Sequence, residues 1–165
     1  MHPGPAEVTC RYFPDNITTM SKLDVYKLGT VPYRDALELQ HALLELRKEG
    51  KAGDSLILLE HPHTLTTGRR GNMDNLLVYR DALEKKGIHF EIISRGGDIT
   101  YHGPGQIVGY PIIDLTRRGR NIHRYLKDLE EALIHTLACY GIEARRVEGV
   151  TGVWVKWHKM ASIGV

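Results

Sequence analysis

Arg95-Gly96-Gly97-Asp98-Ile99-Thr100-Tyr101-His102-Gly103-Pro104-Gly105-Gln106 is the stretch from which the rest of the chain can be read. Four glycines and one proline in twelve residues forbid a helix and predict a tight, backbone-rich loop. The flanks, Phe90 to Ser94 and Ile107 to Leu115, are apolar and rich in β-formers, so the loop is expected between two strands. Glycine lets a ligand approach the main chain and exposes N–H donors. Arg95, Asp98, Thr100, Tyr101, His102 and Gln106 place polar side chains around those donors. The plainer reading is a glycine-rich hairpin with a polar surface, but a hairpin needs one or two glycines and no such polar set.

Upstream, Leu23 to Leu28 alternates as a half-buried strand does. Ala36, Leu39, Leu43 and Leu46, with Leu37 and Leu44 beside them, give one apolar stripe on a helix from Tyr33 to Glu49, which Gly50 ends. Ser55 to Glu60 reads as a buried strand and Thr64 to Gly68 as a short one. Between them His61-Pro62-His63 admits a metal reading, but no cysteine or carboxylate set stands near in sequence at ligand spacing, so a loop start is expected. Tyr79 to Lys86 is short and helical, closed by Gly87, and Ile88 to Ser94 leads into the central loop.

Downstream, Ile107 to Leu115 is a strand whose Pro111 predicts an edge or a bulge. Asn121 caps a helix carrying Ile122, Leu126, Leu129, Leu133 and Leu137 at helical spacing, with Gly141 at its end. Strands are expected at Ile142 to Val147, from Val153 to Val155, and from Lys159 to Val165, with a turn over Gly149 to Gly152. Residues 1–20, with three prolines and little periodicity, read as a flexible leader, and Met20 is a second candidate start. The result is an α+β domain over residues 21–165: a mixed, largely antiparallel sheet with packed helices.

Composition excludes several classes. Twenty-two basic and 20 acidic residues leave a net charge of +2, which is no electrostatic footprint for nucleic acid. No apolar run approaches the roughly 20 residues of a membrane helix, and the N-terminus has no signal-peptide core. Two cysteines far apart, Cys10 and Cys139, give no disulfide framework and make a reducing cytoplasm the expected location. Cys139 reads as a small packed residue of the second long helix. Arg117, Arg118, Arg120 and Arg124 crowd a helix start, where cations oppose the macrodipole; a basic rim for an acidic partner is one reading, a solvated face the other.

Residues Arg95 to Gln106 closely resemble the RGG-x-x-TYHGPGQ signature of octanoyltransferases of lipoate biosynthesis. The resemblance continues through Leu59-Glu60-His61-Pro62, Thr67-Gly68-Arg69-Arg70, Gly109-Tyr110-Pro111, Thr151-Gly152-Val153-Trp154-Val155 and Lys159-Met160-Ala161-Ser162-Ile163-Gly164-Val165. It implies the catalytic fold of biotin and lipoate protein ligases. It also implies transfer of an octanoyl group from acyl carrier protein to a lysine of the lipoyl domains of 2-oxoacid dehydrogenases and of the glycine cleavage H protein, with no metal or nucleotide. Arg95, Gly96, Gly97, Asp98, Ile99, Thr100, Tyr101 and His102, with Ser162, Ile163 and Gly164, would line the acyl site. Lys159 matches the lysine of a Lys/Cys dyad; among apolar residues such a lysine deprotonates a thiol or, as a cation, stabilises the thiolate. The family cysteine sits in a Pro-Cys-Gly segment that residues 1–165 do not contain, and neither does the later Gly-Leu-Ala segment occur. Stopping at Val165 within an apolar pattern is expected of a catalytic domain whose C-terminal part is missing. Two alternatives remain: an ATP-dependent lipoate or biotin ligase, and a non-catalytic acyl- or carrier-binding module.

Overall fold

The computed structural model describes residues 22–68, 73–94, 98–116 and 119–164. The expectations for residues 1–20 and for Arg69, Arg70, Arg95, Gly96, Gly97, Arg117, Arg118 and Val165 lie outside them. The chain divides into two compact units, one containing Leu115–Ile163 and the other Ser21–Asp114 with Gly164.

The unit before Leu115 is built from two strand–helix–strand steps. In the first, β1 (Leu23–Thr30), α1 (Tyr33–Lys48) and β2 (Asp54–Glu60) make a parallel pair joined by a helix. In the second, β3 (Thr64–Gly68), α2 (Arg80–Lys85) and β4 (His89–Ile93) repeat the plan. Two short strands from the central stretch and beyond it complete the sheets: β5 (Thr100–His102) runs antiparallel to β3, and β6 (Val108–Ile112) antiparallel to β2. The orders are β1-β2-β6 and β4-β3-β5. Pro111 therefore sits on a strand paired on one side only among the described residues, where its missing N–H costs no ladder bond.

The core here is the stripe expected on α1. Ala36 and Leu43 are buried against Ile57 and Leu59 of β2, with Val31, Leu39, Val108, Tyr110 and Ile112 closing around them. Full burial of an aliphatic side chain such as Leu43, Ile57 or Leu59 contributes about 1.5–3 kcal/mol. Leu46, expected in the stripe, is instead exposed in the last turn of α1. That end is fastened by Arg47, whose guanidinium reaches Asp54 at 2.9 Å and Asp114 at 3.3 Å.

The second unit is α3 (Ile122–Cys139) on an antiparallel sheet of β7 (Arg145–Val147), β8 (Val150–Val155) and β9 (His158–Ala161). Asn121 caps α3 by accepting the Arg124 N–H at 2.9 Å, as its side chain predicts. The helices α1, α2 and α3 end alike, with Gly50, Gly87 and Gly141 at φ near +70°. The amide after each glycine closes back on the carbonyl five residues earlier, at 2.8, 2.9 and 3.0 Å.

Among the described residues the strands of the expected mixed sheet are divided among three short sheets, in which four pairings are antiparallel and two parallel. Gly152, expected in a turn, lies inside β8; the expected strand from Ile142 begins only at Arg145, because the Ile142 N–H is used to end α3. Among the described residues no helix is long and apolar enough to cross a membrane.

Candidate functional site

The central stretch is less of a loop than its glycines suggest. Thr100, Tyr101 and His102 pair with Thr66, Leu65 and Thr64, so their side chains alternate as on any strand. Gly103-Pro104-Gly105-Gln106 then turns, with the Gln106 N–H on the Gly103 carbonyl at 3.1 Å and Gly105 at φ +83°. Proline second and a positive-φ glycine third define a type II turn. Gly103 is buried under the Tyr101 ring, which occupies the space a Cβ would need.

Side chains from elsewhere brace this turn. Glu60, the last residue of β2, accepts the Gly105 N–H at 2.7 Å. His102 Nδ1 and Gln106 Oε1 are 2.8 Å apart, and Gln106 Nε2 donates to the Tyr101 carbonyl at 3.3 Å, so Nδ1 of His102 carries the proton. Asp98 accepts the Ile99 N–H at 2.8 Å and a bond from Asn75, which commits its carboxylate to shaping the approach to β5. His63 Nδ1 lies 2.5 Å from the Tyr101 hydroxyl, ring stacked on ring.

Beneath the turn is His61, 0 % exposed. Its ring meets those of Tyr33 at 5.1 Å, His102 at 5.5 Å and Tyr110 at 6.0 Å. Nδ1 donates to the Val31 carbonyl at 2.7 Å, and Nε2 accepts from the Tyr110 hydroxyl at 2.8 Å. Both nitrogens are engaged in the fold, so His61 is a brace for His102 and not a ligand paired with His63. Burial pushes its pKa below the ordinary imidazole range, against the opposing pull of the Val31 bond. The unfolded chain then takes up a proton near pH 6.5 that the folded chain refuses. The stability held by neutral His61 is complete above about pH 6.5 and is lost as pH falls toward its folded pKa, at up to ~1.4 kcal/mol per pH unit. His61→Gln can make both bonds without titrating. Between about pH 7 and pH 5.5 its urea midpoint is expected to fall less than that of the wild type; parallel curves would refute the assignment.

The other expected residues lie in the second unit. Lys159 on β9 stands opposite Trp154 on β8, its ammonium 5.7 Å from the centre of the indole ring. It is exposed, where the sequence suggested an apolar surround. Its Cε crosses the place where Gly152 has no side chain: a Cβ there would stand 2.5 Å away. Ser162 and Ile163 follow β9 without regular structure, so the strand expected to reach Val165 stops at Ala161. Gly164 groups with the first unit. Thr100 to His102 are thus gathered with Glu60, His61, His63 and Gln106 in one unit, and Lys159, Ser162 and Ile163 belong to the other. A cleft of about 630 Å3 between the start of α1, α2 and β4 includes none of the expected site residues.

The signature turn and the lysine strand both fall within residues 32–165, which match the lipoyl protein ligase A/B catalytic domain model. The chain belongs to this family. Within the lipoyl ligase A/B domains it is 54% identical to an octanoyltransferase of Solibacter usitatus over 139 residues, 84% of this chain and 63% of the relative. It is 49% identical to an octanoyltransferase of Caldicellulosiruptor saccharolyticus, covering 87% and 62% of the two chains. The chain therefore spans a little under two thirds of the length of these relatives. Among solved structures it superposes on a bipartite lipoate protein ligase of Thermoplasma acidophilum with a TM-score of 0.63 at 19% identity, over 83% of this chain and 52% of that one. A lipoate-protein ligase A bound with ATP gives 0.59 at 20% identity, over 83% and 55%. Identities this low establish the shared fold alone.

Proposed function

We propose that the complete protein moves an octanoyl group from acyl carrier protein to a lysine of lipoyl domains, including those of 2-oxoacid dehydrogenases and the glycine cleavage H protein, in the cytoplasm. The observation that carries this reading is the braced Tyr101–Gln106 turn, in a sequence half identical to octanoyltransferases and only one fifth identical to the structurally similar ligases. Residues 21–165 are read as part of the catalytic domain. Arg95 to His102, with Ser162, Ile163 and Gly164, are assigned to the acyl chain and its carbonyl; backbone N–H groups near the turn can stabilise a developing oxyanion. The acyl group would pass through a cysteine thioester, which splits one acyl transfer into two easier ones. That cysteine is not among residues 1–165, since Cys10 and Cys139 stand in no Pro-Cys-Gly segment. Lys159 would supply the charge that stabilises the thiolate. Arg120 and Arg124, both exposed at the start of α3, are offered as part of a docking rim for the acidic carrier.

The test is incubation of the complete protein with octanoyl-carrier protein and an apo lipoyl domain, without ATP, read by intact mass. A hydroxylamine-sensitive octanoyl adduct on the enzyme, followed by a stable one on the lipoyl domain, is the expected outcome. Modification only with ATP, with release of AMP, would move the protein to the ligases. Carrier binding with no transfer would make it a binding module.

A further inference from the structure

Glu130 is the one acidic residue of α3 that is buried among the described residues, at 6 % exposure. It takes a position that the stripe Leu126, Leu133 and Leu137 reserves for an apolar side chain, since spacings of four, three and four run through it. A carboxylate persists there only with partners for both oxygens. Oε2 accepts from Arg146 Nε at 3.0 Å. Oε1 accepts the backbone N–H of Gly152 at 2.8 Å. The second bond is the informative one, because Gly152 sits on a strand whose amides would otherwise enter the ladder.

At Gly152 the sheet is irregular. Val153 faces Ala161 and Trp154 faces Lys159, so Met160 is an extra residue on β9. Such a bulge re-aims the neighbouring side chain. Gly152 has φ +130°, and its bare Cα lets the Ala161 carbonyl and the Lys159 chain lie against it. The direction of Lys159 thus depends on Gly152 staying where it is, and the Gly152 amide is held by α3 through Glu130.

We propose that Glu130 is a positioning residue for Lys159: its carboxylate pins Gly152, and the bulged β8–β9 pair then presents the ammonium over Trp154. The consequence for catalysis rests on the proposed role of Lys159; the consequence for its placement does not. In the complete protein, Glu130→Ala is expected to slow formation of the octanoyl thioester about 10²-fold, the usual cost of a misplaced group. The KM for octanoyl-carrier should stay within about threefold, because the binding groups assigned to the acyl chain are untouched. Glu130→Gln has one oxygen for two donors; the Arg146 guanidinium takes it and an amide N–H is left facing the Gly152 N–H, so the pin, and with it most of the rate, should be lost. Adding Arg146→Gln removes the competing guanidinium and should restore both.

Placement has its own readout. Reductive methylation with 13C-formaldehyde gives each lysine a dimethyl resonance, and Lys159→Arg identifies that of Lys159. The Trp154 ring shifts this signal in the wild type. It should move toward the unstructured position in Glu130→Ala and Glu130→Gln and return in the double variant. A Lys159 signal unmoved in both single variants, below their melting temperatures, would overturn the proposal, as would a signal not recovered in the double variant. Wild-type protein that transfers no octanoyl group would defeat the function reading alone, and the resonance would still decide the placement.

Discussion

Lys159→Met in the complete protein is expected to lower the rate of acyl-enzyme formation about 10³-fold, in the middle of the range for a positioned acid–base or charge-stabilising group. Methionine keeps an unbranched apolar stem across Gly152 and against Trp154, so packing survives while the ammonium is lost. The expected signature is a fall in kcat and kcat/KM together, with KM for octanoyl-carrier little changed, as for a group that acts only in the transition state. Lys159→Arg keeps the positive charge but cannot give up its proton, so it separates the two roles. Substantial activity in the arginine variant would assign Lys159 to charge stabilisation, and none would assign it to proton transfer. A methionine variant as active as the wild type would remove Lys159 from the mechanism.

Gly152→Ala should be the most damaging small substitution in the second unit. The new methyl would stand 2.5 Å from the Ala161 carbonyl oxygen, a backbone atom that cannot swing aside, and equally close to Lys159 Cε. It would also have to adopt φ +130°, outside the regions open to L-residues. Backbone strain and overpacking together predict a loss of about 3–5 kcal/mol. That is a large share of the stability of a domain this size. Urea denaturation is the check, with Gly164→Ala as the comparison, since no atom lies within 4 Å of its added Cβ. A loss at Gly152 no larger than at Gly164 would mean that β8 and β9 are not packed as described.

The features legible in the sequence were those set by short-range chemistry. Asn121 and the glycines at 50, 87 and 141 mark helix ends because capping involves only neighbouring residues. The α1 stripe and the edge position of Pro111 follow from periodicity and from a missing N–H. What escaped depended on distant partners. Thr100 to His102 were hidden as a strand by the glycines around them, and only pairing with Thr64 to Thr66 makes them one. Gly152 was read as a turn, but its purpose is close approach of another strand, the alternative meaning of a glycine in a β pattern. Glu130 drew no notice, although its place in a leucine stripe was the available signal. Glu60 likewise gave no sign of its bond across 45 positions to Gly105.

That last bond has a kinetic side. Gly105 is exposed, and an exposed turn amide ordinarily trades its proton with water at close to the free-peptide rate. Here the proton is held by a carboxylate, so exchange must wait for the Glu60 side chain to swing away or for the turn to open. The Gly105 amide is then a clock for the signature turn itself: protected while the turn is braced, and released when Glu60→Ala frees it, with no substrate or chemistry needed to read the time.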